Sequence, residues 1–242
     1  MNSNPRKQTR PAARCAVLHY GIENASTLAN PQRTVFRFRE QITALSRRGY
    51  SIIGQSQLVD AIEHGAPLPG RAVVLSFDAG CPGLFDRLVP VLDEHGLPAT
   101  IFMRPQDCRD RAELASLADR GIEPGLQLRR VPRNRQASVA TLIAEIEQDI
   151  VDVIKAFGVP VSHAACDFGE TSANLRQAVR ASGFLRSVSS TIPGRAWANC
   201  HVDPLTLRRV PVSPVDDVDR FVWRIWRGAV DSPARQPLAH AA

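Results

Sequence analysis

Ala72-Val73-Val74-Leu75-Ser76-Phe77-Asp78-Ala79-Gly80-Cys81-Pro82-Gly83 is the stretch whose reading decides the fold. Four apolar residues run into Ser76-Phe77, then a carboxylate, then a turn of small residues. A short apolar run bounded by turn signals reads as a buried strand. The following segment, 84–95, reads as a helix, with Pro82 near its first turn, where a missing N–H costs nothing. A carboxylate at the C-terminal end of a buried strand stands where α/β folds place their chemistry. Asp78 is therefore the first candidate site residue. The plain alternative is that it caps the helix after it.

Strands and helices alternate on both sides of this stretch. Before it, residues 15–20 read as a strand and 36–48 as a helix, with Phe38, Ile42 and Leu45 on one face and Gly49 as its stop. Residues 50–53 read as a short strand, and Ser56 as the cap of a short helix that ends at Gly65. After it come a strand at 99–103, a helix at 111–120 and a strand at 122–128 interrupted by Pro124-Gly125. Ser138 caps the longest helix, whose stripe of Leu142, Ile146, Ile150, Val153 and Phe157 faces inward. A strand at 161–166, a helix at 172–182, and strands at 184–188 and 206–212 follow. The last helix starts at Asp216 and shows an apolar face of Val218, Phe221, Val222, Ile225 and Trp226, so Trp223 and Trp226 read as core. Strand–helix alternation means a parallel sheet with crossover helices, open or closed into a barrel. There is no internal repeat and no linker. Residues 15–230 read as one domain, between disordered tails at 1–14 and 231–242.

Composition bounds the function. The 242 residues are 44% hydrophobic and 22% charged, enough for a sizeable core. No apolar run reaches the roughly 20 residues of a membrane span. The basic N-terminus has no apolar segment of the kind that secretory signals carry, which favours a cytoplasmic location. Five cysteines are widely spaced, without metal-finger spacing, and read as reduced thiols. The net charge is +6, and Arg6, Lys7, Arg10 and Arg14 in the tail supply +4 of it, so the domain itself is nearly balanced. A nucleic-acid partner is not expected.

The strand and loop spellings resemble the polysaccharide deacetylases, the NodB-homology group of carbohydrate esterase family 4. Val17-Leu18-His19-Tyr20-Gly21 is similar to the family's opening strand, and Gln41, Leu45 and Arg48-Gly49-Tyr50 to its first helix and turn. Leu68-Pro69-Gly70-Arg71 leading to Asp78 matches the approach to its first motif. Val89-Pro90-Val91-Leu92 with Gly96-Leu97-Pro98-Ala99-Thr100-Ile101-Phe102 is the most specific stretch. Ala164-Ala165-Cys166-Asp167-Phe168-Gly169 and Leu207-Arg208-Arg209-Val210-Pro211-Val212 resemble later motifs. The resemblance covers roughly residues 15 to 228. It implies an α/β fold, a distorted (β/α) barrel of the polysaccharide deacetylase type. It also implies a divalent metal such as zinc, held by one Asp and two His, that activates water against an N-acetyl carbonyl.

The departures fall on the chemistry. Where the family carries two adjacent Asp, one the general base and one a metal ligand, this chain has Asp78-Ala79. The positions that match the two His of the metal box are Gln127 and Val131, and the opening-strand His position is Gly21. Asp167 stands where a Pro is common. Ala and Val cannot bind a metal, and Gln offers only a neutral oxygen. Without a metal to lower the pKa of water, a base alone contributes only about 10²–10⁴-fold. The expectation is therefore a degenerate pseudoenzyme of surface or extracellular polysaccharide metabolism, without a metal cofactor, with Asp78 as a vestigial base. A rearranged metal site built from Asp78, Asp167 and His163 or His201 is the escape from that expectation.

The expected partners are a saccharide or an active deacetylase. Arg129 and Arg130, with Arg133 and Arg135, crowd the loop of the lost metal box, and arginine forks bind carboxylate and phosphate. They would make the ligand anionic; their plain alternative is a solvated charge run. Trp197, in a Gly/Pro-containing loop, is the candidate ring platform, and Asp167 completes the expected substrate contacts. Two rivals stand beside this reading. One is an active hydrolase that removes N-acetyl groups through a non-standard site. The other is an interaction protein with no sugar site that uses the apolar helix at 218–226.

Overall fold

The structure is a computed structural model that describes residues 14–21, 30–81, 83–108, 111–128, 137–166, 173–191, 197–198 and 202–229, with the backbone alone at 111, 113, 197, 228 and 229. Strand β3 (Arg71–Asp78) is its hub. Along its length it pairs in parallel with β1 (Arg14–Tyr20). Its other edge is divided: Ala72–Val74 pair with β2 (Ser51–Ile53), and Ser76–Asp78 pair with β4 (Ala99–Met103). From β4 the sheet continues in parallel through β5 (Ile122–Leu128), β6 (His163–Cys166), β7 (Ser187–Ser190) and β9 (Leu207–Val212), which returns to β1. Seven parallel strands thus close into a barrel, the distorted (β/α) barrel expected from the sequence. The two-residue strand β8 (Trp197–Ala198) joins β1 antiparallel at its first residues, in a segment that reads as loop.

Side-chain alternation sorts the residues of each strand. Cys15 and Val17 of β1 cluster with Ala72, Val74, Ile53, Leu207 and Ala198, filling the lower barrel interior, with Leu58 beneath them. Ala16, Leu18 and Tyr20, with Val73, Leu75 and Phe77, face the helices and join the large outer core. The same alternation puts Ser76 and Asp78 inside, above the apolar plug.

The helices are α1 (Pro31–Arg47), α2 (Gln55–His64), α3 (Val89–Glu94), α4 (Arg111–Asp119), α5 (Val139–Phe157), α6 (Ala173–Ser182) and α7 (Val218–Ala229). Three of them begin elsewhere than the apolar periodicity suggests. Helix α1 starts five residues earlier than Phe36, because Asn30 Oδ1 accepts the Arg33 N–H at 3.0 Å and Pro31 suits the first turn. Helix α2 starts after Gly54, so Ser56 lies inside it and does not cap it; the Glu123 carboxylate accepts the Ser56 N–H at 3.1 Å instead. Helix α7 starts at Val218, and Asp217 Oδ1 accepts the Arg220 N–H at 2.8 Å.

Two strands also differ from expectation. Pro124-Gly125 does not interrupt β5: Gly125 has no Cβ, and the Phe102 ring lies where one would stand. The strand expected at 184–188 is Ser187-Val188-Ser189-Ser190, and Phe184 is exposed. Ser187 and Ser189 are buried because their hydroxyls find partners, Ser187 with His163 and Ser189 with the Ala164 carbonyl. The assignment of Trp223 and Trp226 to the core is corrected: Phe221 and Ile225 fill that role, and both tryptophans face outward.

Among the described residues, Cys15, Cys81, Cys108 and Cys166 form no disulfide. Among the described residues no helix is long and apolar enough to cross a membrane.

Candidate functional site

Three strands bring their charged residues together at the barrel mouth. Asp78 is the last residue of β3, His19 the second last of β1, and Arg209 comes from β9. All three are buried. Asp78 Oδ2 stands 2.8 Å from His19 Nε2, and Asp78 Oδ1 accepts the Arg209 Nη1 hydrogen bond at 2.9 Å. Arg209 Nη2 donates to the Cys166 carbonyl at 3.2 Å, so this side chain crosses from β9 to both β3 and β6. Its guanidinium also lies 5.5 Å from the Phe102 ring centroid. On its far side, His19 Nδ1 meets Thr191 Oγ1 at 3.1 Å.

Electrostatics fix the charge of Asp78. Burial pushes the Asp78 carboxyl up, but the His19 hydrogen bond and the Arg209 charge outweigh it and bring the pKa down to about 2. Asp78 is thus a carboxylate at neutral pH. Facing it, His19 is held from both sides, with Nε2 on the Asp78 carboxylate and Nδ1 on the Thr191 hydroxyl. A carboxylate held this low is a poor general base near pH 7. It is also no helix cap, since His19 and Arg209 take its two oxygens. The neighbouring Cys81 thiol is pushed up to about 12 by burial and by the Asp78 charge, so it is no nucleophile.

The positions that would hold a divalent metal do not fit one. Ala79 has no donor side chain, and its N–H is bonded to the Phe102 carbonyl at 2.9 Å. Gln127 is buried on β5 with a neutral amide. Val131 lies outside the described residues. Asp78 is already bound to a cation, and among the described residues no group of three His, Cys, Asp or Glu side chains could hold a metal ion. At Gly21, the opening-strand His position, a Cβ would stand 2.7 Å from the His19 ring. The imidazole of His19 fills that space from two residues upstream.

Of the other residues singled out in the sequence, His163 lies apart from this cluster. Arg129, Arg130, Arg133, Arg135, Asp167 and His201 lie outside the described residues. The Trp197 backbone pairs with Ala16, at the end of β1 away from Asp78. His163 has its own buried network: Nε2 meets Ser56 Oγ at 2.9 Å and Glu123 at 3.4 Å, and Nδ1 meets Ser187 Oγ at 2.9 Å. Gln55 Nε2 donates to the same Ser187 Oγ, which ties α2 to the barrel wall. His19, Arg209 and Thr191 are the site residues that sequence reasoning missed. The available signal was a charged residue inside an apolar strand, which is costly unless paired. Arg209 within Leu207–Val212 is such a residue.

Residues 65–186, half of the chain, match the polysaccharide deacetylase family. The chain belongs to that family. Among curated proteins, the poly-beta-1,6-N-acetyl-D-glucosamine N-deacetylase of Escherichia coli is 39% identical over 61 residues, which are 25% of this chain and only 9% of that protein. Among solved structures, the Streptococcus pyogenes deacetylase PplD in complex with acetate superposes with a TM-score of 0.73 at 15% identity, covering 88% of this chain and 99% of that one. IcaB from Ammonifex degensii superposes with a TM-score of 0.67 at 16% identity, covering 91% of this chain and 99% of that one. These two show that the polysaccharide deacetylase fold extends over most of the chain.

Proposed function

We propose that this polysaccharide deacetylase-like protein is a degenerate pseudoenzyme that holds a saccharide, or supports an active deacetylase, in exopolysaccharide metabolism. One observation carries the reading. Both oxygens of Asp78 are taken, by His19 and Arg209, and the adjoining ligand positions are Ala79 and Gln127. A carboxylate in that setting cannot both hold a cation and take a proton from water. The reaction is then left without Lewis-acid activation, and base catalysis alone supplies only about 10²–10⁴-fold. The family supplies the ligand class. Its relatives include an N-acetyl-D-glucosamine-polymer deacetylase, which makes an amino-sugar chain the first ligand to test. The Arg129 and Arg130 loop would add a preference for acidic sugars.

A second reading draws on the His19–Asp78 pair. An imidazole oriented by a carboxylate can move a proton between Nε2 and Nδ1 partners, which leaves room for a slow, metal-independent hydrolysis.

Titration of the protein with N-acetylglucosamine oligomers, followed by nuclear magnetic resonance, tests the proposal. The expected result is saturable shifts of Thr191 and His19 signals with no acetate produced. Acetate that accumulates with turnover supports the second reading. No shifts with any neutral or acidic oligomer, together with no acetate, removes the saccharide role.

A further inference from the structure

The solvent side of α7 carries two tryptophans that the fold does not use. Trp223 is 48% exposed and Trp226 61%, whereas Phe221 and Ile225 on the opposite side are buried. The helix packs on α1, β1 and β9, on the outer flank of the barrel. Its first turns are held firmly. Asp216 forms ion pairs with Arg220 Nε at 3.1 Å and Arg224 Nε at 2.9 Å, and Gln41 Nε2 donates to the Ser213 and Asp216 carbonyls. The two indoles therefore stand on a rigid support, three residues apart and offset by about 4.5 Å along the helix axis.

The groups around them indicate what covers them. Asp219, Arg220 and Arg227 share the exposed side, and Val222 is half-buried, so among the described side chains of α7 no aliphatic one lies open. A helix that inserts into lipid shows leucines or phenylalanines beside its aromatics. An obligate protein interface shows a continuous apolar core. Among its described residues this face has neither. The Arg227 guanidinium lies 5.0 Å from the Trp223 ring centroid and meets no carboxylate among the described residues, so its fork is free for an anion. Flat aromatic rings among charged, hydrogen-bonding groups suit a sugar: the C–H face of a pyranose stacks on an indole, and its carboxylate meets the arginine.

We propose that Trp223, Trp226 and Arg227 form a binding surface for an acidic saccharide chain, separate from the barrel mouth. The choice of a saccharide rests on the functional reading above; the place of the surface does not. Affinity electrophoresis of the full chain through gels containing polygalacturonate or neutral dextran tests it. Polygalacturonate is expected to retard the protein more than dextran. Trp223→Ala with Trp226→Ala should weaken that retardation roughly tenfold, and Arg227→Gln about threefold, with unchanged circular dichroism and Tm because the side chains are exposed. Unaltered retardation of the double tryptophan variant overturns the proposal. If His19→Ala abolishes retardation and the tryptophan pair does not, the polymer sits at the mouth, and only the flank surface is lost. Binding to phosphatidylglycerol vesicles without glycan binding overturns it in favour of a lipid surface. Self-association through these tryptophans without glycan binding overturns it in favour of a second copy of the chain.

Discussion

His19 Nε2 lies 2.8 Å from Asp78 Oδ2, and the same imidazole fills the space that a Cβ at residue 21 would need. Gly21 and His19 therefore depend on each other. Gly21→Ala is expected to push the ring off Asp78 and to cost about 1–3 kcal/mol in urea unfolding. Combining it with His19→Ala should cost less than the sum of the two singles. Unchanged stability of Gly21→Ala would show that the ring has room to move.

Arg209 compensates the Asp78 charge inside the barrel. Arg209→Met leaves a buried carboxylate without its cation, and an expected loss of about 3–5 kcal/mol follows. Asp78→Asn in that background should restore part of it, as a double-mutant cycle would read. Arg209→Lys is not expected to substitute, because a single ammonium cannot reach Asp78 and the Cys166 carbonyl with a planar fork. Strict additivity in the cycle would mean that the pair is not coupled.

The pH dependence has a definite sign. The Asp78 pKa is lowered on folding from 3.8 to about 2. A depressed carboxylate stabilises the fold above its unfolded value, and that contribution is lost as pH falls through the folded one. Between pH 5 and pH 2 the protein should lose about 2 kcal/mol that Asp78→Asn does not lose. Parallel stability curves for the two proteins would contradict the paired-carboxylate geometry.

Ser187 stands between His163 Nδ1 and Gln55 Nε2, both 2.9 Å away. Ser187→Ala strands two buried polar groups and is expected to cost about 1–3 kcal/mol. A change within a few tenths of a kcal/mol would mean that water replaces the hydroxyl.

Much of the fold was legible because its strands are apolar runs closed by turns. Arg71–Asp78 and Ala99–Met103 are buried along nearly their whole length, so burial and sequence agree there. Ser187–Ser190 was misplaced for the opposite reason: its polar side chains are satisfied inside the barrel, and hydroxyl partners leave no mark in hydropathy. Trp223 and Trp226 were misread because periodicity marks an apolar face and does not tell which residue of it points out. At the site, Asp78 could be found from its place at the end of an apolar strand, and the lost ligand position Ala79 from the family resemblance. Arg209 stands out as a charge inside an apolar strand, but its pairing and that of His19 with Asp78 could not be read, since the folded barrel joins residues 59 and 131 apart in the chain.

The measurement that bears most directly on the central claim is metal content by plasma mass spectrometry, with acetate release from N-acetylglucosamine oligomers assayed on the same protein purified in the presence of zinc. The account expects metal far below one ion per chain and no acetate above background. Metal near one per chain, with acetate release that a chelator stops, would contradict it and make the protein a metal-dependent deacetylase with an altered site.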